Sequence, residues 1–315
     1  MSYTAQTRTN LADVYDLAIL AENLANTEGE MTPSVASEYF YVKPTVYKSE
    51  KFSKVGGPAS MTATSEGSDY TEKELVQGYD HEITPLKYTA VIPLTEEAVE
   101  DDPKGVLNAP WLAEQARMAY VATLEAAAAG VINGGFNSTT SPDAQYLFST
   151  GHTVTSGGTS YSNLITSALD PEGAALVVAF RKIRENFYDT GGRRLDFRNW
   201  VLGVPPALWP IALKATTAVY GNQTYSSPSV AQTGELMGKI RPVEIPDLSD
   251  PAAWFLAPDP RVYGEKTSLI MLDRQPLRLT AKRAQANQDY EIYCSVRFIC
   301  GVKGFHVLGS TGAGA

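Results

Sequence analysis

The chain has 315 residues, with 26 basic and 35 acidic side chains and a formal net charge of −9. With 43% hydrophobic and 19% charged residues it is neither a disordered acidic tail nor a coiled coil, and this length predicts roughly two domains burying about three quarters of the unfolded surface. The acidic excess excludes gripping DNA or an anionic membrane over the whole surface, two cysteines exclude a disulfide-built scaffold, and three histidines leave little material for metal sites.

The first ten residues are polar and lack an apolar signal core. No later stretch approaches the roughly 20 apolar residues of a membrane span, so the expectation is a soluble protein kept in a cytoplasm. Residues 11–27 place Leu11, Val14, Tyr15, Ala18 and Leu24 near helical spacing, with Asn10 as N-cap and Gly29 and Pro33 as stop signals. This helix reads either as a terminal arm or as part of a packed domain.

From Glu38 to Leu94 the pattern turns to strand. Residues 39–47 are β-rich, and Leu86, Tyr88, Ala90, Ile92 and Leu94 alternate with Lys87, Thr89, Val91 and Pro93. Between them lies a polar, glycine-containing stretch with scattered apolar residues and no core of its own. Such a connection is uncommon in a compact domain, and two strands alone are marginal in water. The expectation is a long hairpin lying on something else, a neighbouring subunit being the reasonable candidate.

Thr95 with Glu96 and Glu97 opens a helical region, and Pro103 and Gly105 interrupt it. A long alanine-rich helix then runs from about Asn108 to Asn133–Gly135, with Leu112, Ala116, Ala119, Tyr120, Thr123 and Ala127 as its expected inner face. A mixed α/β region follows. It comprises a helix over 171–188 with Leu176, Phe180, Ile183 and Phe187 inward, a strand at 200–204, and a helix from Pro205–Pro206 to Tyr220. A Gly/Ser/Gln loop then covers 221–233, and strands are expected at 240–245, 253–256 and 269–272. The clearest strand, 288–300, turns Tyr290, Ile292, Cys294, Val296, Phe298 and Cys300 to one face. A short strand over 305–308 and a frayed tail from Gly309 close the chain.

This order of parts resembles the tailed-phage major capsid proteins of the α+β Hong Kong 97-type fold. The parts are an arm, a long two-stranded loop ending in Thr95-Glu96-Glu97, an Ala-rich helix, a mixed α/β domain and closing strands. The phrases at 88–97 (YTAVIPLTEE), 147–152 (LFSTGH), 200–208 (WVLGVPPAL) and 254–257 (WFLA) are most similar to the Mu-like major head subunit group. The resemblance implies an N-arm over 1–37 and an E-loop over 38–94. It implies a P-domain over 95–135 and 274–309, an A-domain over 136–273, and a flexible tail at 310–315. It also implies self-assembly through pentamers and hexamers into an icosahedral shell around double-stranded DNA, in the virion, after assembly in a bacterial host's cytoplasm. Because the chain starts directly with the arm, a separate scaffold protein is expected, processing of a longer precursor being the alternative, with a portal and decoration proteins as further partners. The alternatives are a cargo-holding, encapsulin-like compartment of the same fold and a phage-encoded hydrolase using His152.

The residues offer little chemistry. His152 stands among hydroxyl side chains in FSTGHTVTSGG, but no G-x-S-x-G elbow accompanies it, and the ordinary reading is a solvated or backbone-bonded loop histidine. His81 next to Asp80 and Glu82 reads as a surface pair, and His306 as structural. Cys294 and Cys300, six apart in one strand, are about 20 Å apart and read as core thiols. No glycine pair continues as a phosphate-binding loop. Glu96–Glu97 and Asp101–Asp102 diverge by about 100° on a helix and complement its dipole. The basic cluster Arg181, Lys182, Arg184, Arg193, Arg194 and Arg198 reads as a solvated face with inter-subunit salt bridges rather than a DNA contact. Some capsids cross-link an E-loop lysine to an asparagine; Lys51 and Lys54 lie in the matching loop, but no motif marks the asparagine, so that chemistry is not carried over. The expectation is no catalytic, cofactor or metal site.

Overall fold

The structure, a computed structural model, describes residues 34–95, 97, 100–101, 109–155, 158–220, 239–283 and 290–312. The expected arm helix, the loop 221–233, and Glu96 and Asp102 lie outside the described residues. The first elements are α1 (Ala36–Tyr39), β1 (Tyr41–Pro44), β2 (Glu50–Gly56), β3 (Val76–Ile83), β4 (Leu86–Leu94) and α2 (Ala109–Asn133). Then come β5 (His152–Thr153), β6 (Ser160–Tyr161), β7 (Leu164–Ile165), α3 (Ala174–Asn186), β8 (Asn199–Val204) and α4 (Trp209–Tyr220). The last are β9 (Lys239–Glu244), β10 (Trp254–Pro258), α5 (Pro260–Tyr263), β11 (Leu269–Arg283), β12 (Tyr290–Val302) and β13 (Leu308–Ser310). The described residues group into two compact units: Ser34 and those of Pro85–Leu124 with Asp273–Ile299 form one, and those of Val35–Thr84, Glu125–Leu272 and 300–312 the other.

In the first unit β12 runs antiparallel to β4, from Tyr290 opposite Leu94 to Phe298 opposite Leu86. The period-2 reading of this strand holds: Cys294, Val296 and Phe298 are buried, while Ser295 and Arg297 are only partly so. Tyr88 stacks on Phe298 at 4.7 Å, and Tyr120 of α2 meets the same ring edge-on at 6.0 Å. Of α2, Ala116 and Leu124 are buried in this unit, and Ala128, Ala129 and Ile132 lie buried in the second, whereas the expected Ala119 is exposed. A helix that is alanine on most sides has little amphipathic contrast, so its few bulky residues decide which face turns inward.

In the second unit the core is a sheet of order β7-β13-β10-β8-β9. All five residues of β10 and five of the six in β8 are buried. These uninterrupted apolar runs suit strands covered on both faces. β8 and β9 are parallel, and a parallel pair needs a long crossover, here one that includes α4. Trp200, Trp254, Leu176, Phe187 and Leu202 form the centre of the cluster. Phe255 stands opposite Gly203 on one neighbouring strand and Gly309 on the other; a Cβ on Gly203 would lie 2.2 Å from the Phe255 ring. Glycine at that position lets the aromatic ring lie flat along the sheet. Glu38 ties α1 to this core through ion pairs with Arg241 and Arg261.

Four local expectations are corrected. The strand 86–94 does not pair with residues 39–47; it pairs with β12, and the hairpin proper is β2 with β3. Helix α3 begins at Ala174 rather than Pro171. Gly173 has φ +80°, and the Asp170 carboxylate accepts the Ala174 and Ala175 N–H groups at 3.0 and 2.7 Å. Residues 305–307 are buried but irregular, because the Asn163 amide lies 3.0 and 2.8 Å from the Phe305 and Val307 carbonyls, and the Ser268 hydroxyl takes the His306 N–H. Gly309 is not frayed: it lies in β13, buried and parallel to β7.

Candidate functional site

The hairpin β2–β3 divides sharply along its length. The last rung of its ladder, Gly56 opposite Val76, is packed on its own unit by glycine: a Cβ on Gly56 would lie 2.2 Å from the Gly191 nitrogen, and one on Gly191 2.2 Å from the Gly57 carbonyl oxygen. Only residues without side chains allow two backbones this close. Here the hairpin lies on its own chain, the loop 188–193, and not only on something else. The segment 57–75 beyond it is different. None of it is buried, Met61 and Tyr70 are 97% and 94% exposed, and Glu66, Asp69, Glu72 and Glu74 are exposed with them. Val46, Tyr47, Val55 and Leu75 add further exposed apolar surface. Met61, Tyr70 and Leu75 stand on a strand-free segment with no core of its own.

His152 is fully buried rather than solvated. Its Nδ1 lies 2.8 Å from Asp143 Oδ2 and 3.4 Å from Ser141 Oγ, and its Nε2 lies 3.2 Å from the Leu147 carbonyl oxygen. The Ser141 hydroxyl also donates to the other Asp143 oxygen, and the Thr153 N–H donates to Oδ2 at 3.1 Å. Burial pushes the Asp143 carboxyl up, but the His152, Ser141 and Thr153 hydrogen bonds outweigh it and hold the group below its ordinary value. Serine, histidine and aspartate thus meet, yet in the wrong order for catalysis. Nε2, the nitrogen that a triad's base turns to its nucleophile, faces the Leu147 backbone carbonyl inside the fold instead. The ring is stacked on Phe305 at 4.6 Å, and the cluster fastens the loop 140–153. Neither Ser141 nor Asp143 was singled out by sequence; the spacing S-x-D followed nine residues later by His is the signal that existed.

His306 is buried, donates from Nε2 to the Tyr188 carbonyl at 2.9 Å, and is pushed down to about 3 by burial, with Lys54 adding to the effect. The surface pair expected for His81 is not formed: Asp80 binds Lys51 at 2.9 Å, and His81 stands opposite Phe52, its pKa lowered by partial burial. Cys294 and Cys300 are buried free thiols, as expected; burial pushes Cys300 up to about 12 and raises Cys294 as well. In the basic cluster Arg181 pairs with Glu185, Arg193 with Asp189 and Arg198 with Asp196, while Arg194 lies over the Tyr188 ring. These bridges are within the chain, on an exposed face. Among the described residues no three His, Cys, Asp or Glu side chains converge as metal ligands, and no helix is long and apolar enough to cross a membrane.

No curated protein sequence matches the chain. Its fold is similar to the capsid of the cyanophage P-SCSP1u, with a TM-score of 0.62 at 12% identity over 90% of this chain and 89% of that one. It is similar also to the mature capsid of bacteriophage PhiM1 (0.58, 12%, 90% and 88%). The capsid of a native GTA particle follows at 0.51 and 17% identity, over 88% and 90%. At such identities these likenesses establish the Hong Kong 97-type fold. The profile of the family described as phage capsid protein matches residues 78–306, most of the chain, and the chain belongs to that family: it is a structural capsid protein of the virion.

Proposed function

We propose that the chain is the repeating subunit of a shell built from pentamers and hexamers around double-stranded DNA, and that it has no catalytic site. The observation that carries this reading is the segment 57–75, strand-free and exposed in a chain of the capsid family. In this reading residues 1–37 are the arm, 38–94 the E-loop region, 136–273 the A-domain, 95–135 with 274–309 the P-domain, and 310–315 a tail. The compact grouping of Pro85–Leu124 with Asp273–Ile299 supports joining the long helix to the closing strands. The phrases at 88–97 and 200–208 support a place near the Mu-like group. A separate scaffold, a portal and decoration proteins are the expected partners, and assembly takes place in the cytoplasm of a bacterial host.

Contacts of this kind are individually weak, and many of them closed by symmetry make a stable shell. The capped Nε2 of His152 supports the absence of hydrolase chemistry. Negative-stain microscopy of the purified chain, alone and co-expressed with a scaffold, tests the proposal. Uniform shells, or rings of five and six, are expected; a strictly monomeric species under both conditions contradicts it.

A further inference from the structure

The hairpin strands, the loop 188–197 and residues 265–268 and 303–306 line a cavity of about 570 Å³ within the second unit. Its charged groups sort into two kinds. The carboxylates are engaged: Asp143 by His152, Asp189 by Arg193, and Glu265 by Lys43 at 3.2 Å. Of its ammonium groups Lys51 pairs with Asp80, whereas the exposed Lys266 and the two inner ones have no carboxylate partner among the described ion pairs. Lys54 and Lys303 line the cavity partly buried, and neither has a carboxylate among the described ion pairs. Lys303 lies 5.6 Å from the Phe52 ring centroid, the ring that Lys43 also approaches at 5.5 Å. Lys54 Nζ lies beside the Gly304 backbone, 2.6 Å from where a Cβ would stand, so glycine at 304 makes room for the ammonium.

Hydroxyl groups of Thr190 and Ser268 stand in the same lining. His306, its Nε2 hydrogen committed to Tyr188, is neutral at ordinary pH. Burial is the main cause that lowers both lysines, Lys54 to about 8, and it outweighs the more distant attraction of Asp143 for Lys54 and of Glu265 for Lys303.

We propose that this cavity binds an oxyanion, a carboxylate or phosphate group held jointly by Lys54 and Lys303. The cavity is larger than a bare ion needs, so the group can enter on a side chain. One source is within the molecule's own chemistry: the exposed acidic run Glu66, Asp69, Glu72 and Glu74 of a second copy. The other is free phosphate. Oxyanion binding itself does not depend on the shell reading; only the second-copy source does.

Titration calorimetry of the full chain at constant ionic strength tests this, with inorganic phosphate in one arm and a synthetic peptide of residues 64–75 in the other. Saturable binding near one equivalent per chain is expected in at least one arm. Lys54→Met and Lys303→Met should each weaken it by about tenfold or more, the usual loss of a charge-assisted contact. Lys54→Arg, which keeps the charge, and Lys48→Met, a surface control outside the cavity, should retain it. Binding of the peptide identifies the second copy as the source, and binding of phosphate alone identifies the free ion. No saturable binding in either arm, or binding unchanged in both methionine variants, overturns the proposal. Because phosphate binding is read on unassembled protein, its failure leaves the shell reading intact, and failure to form shells leaves phosphate binding intact.

Discussion

Every residue of Trp254–Pro258 is buried, and none of residues 57–75 is. Both belong to the same compact unit. The strand has neighbours on both edges and aromatic and aliphatic side chains on its faces, so its structure is determined by its own chain. The hairpin tip has exposed methionine, tyrosine and leucine and no strand beyond Val76 to pair with. The difference separates what holds one subunit together from what is left over for other subunits. If, as proposed, stability belongs to the sheet and assembly to the tip, substitutions in the two regions should have opposite consequences.

The largest effect is expected in the sheet. Trp254→Ala removes an indole at 1% exposure whose N–H donates to the Ser167 carbonyl, and should cost about 3–5 kcal/mol in urea unfolding. Gly203→Ala drives a methyl into the Phe255 ring and should cost about 1–3 kcal/mol by the same measurement.

A third test uses pH. His306 is held neutral in the fold, its pKa lowered to about 3, so between that value and the ordinary 6.5 the unfolded chain binds the extra proton. Stability is therefore full above the unfolded pKa and falls as the pH drops below it. From pH 6.5 to 5 the loss should reach about 2 kcal/mol. His306→Gln should flatten that slope whatever its own starting stability. The smallest effect on the subunit is expected at the tip. Met61→Ser with Tyr70→Ser should change unfolding by less than about 0.5 kcal/mol, yet sharply reduce the yield of closed particles. Loss of subunit stability comparable to Trp254→Ala would erase the contrast.

Much of the core was legible in sequence because its signals are local. The run WVLGV and the alternation from Cys294 to Cys300 have lengths and periods that only strands satisfy, and Leu176, Phe180, Ile183 and Phe187 are buried as their spacing predicts. Strand partners were less legible. Residues 39–47 and 86–94 are both strand-like, but pairing is a non-local choice, and β4 has β12 as its partner about 200 residues away in the chain. The face of α2 was hidden by alanine. The irregular 305–307 segment was hidden because one distant amide, Asn163, serves as its hydrogen-bond partner. The exposed tip was legible as a region without a core, but the glycine contacts that seat its base on residues 188–193 were not, since a close backbone approach leaves only scattered glycines as its trace.

In the proposed shell, the exposed segment of one subunit is covered by another copy. Cryo-electron microscopy of assembled particles measures this directly. The prediction is a closed shell in which Met61 and Tyr70 of each chain are buried against a different chain. A closed shell in which residues 57–75 remain exposed, or pack only on their own chain, would contradict it.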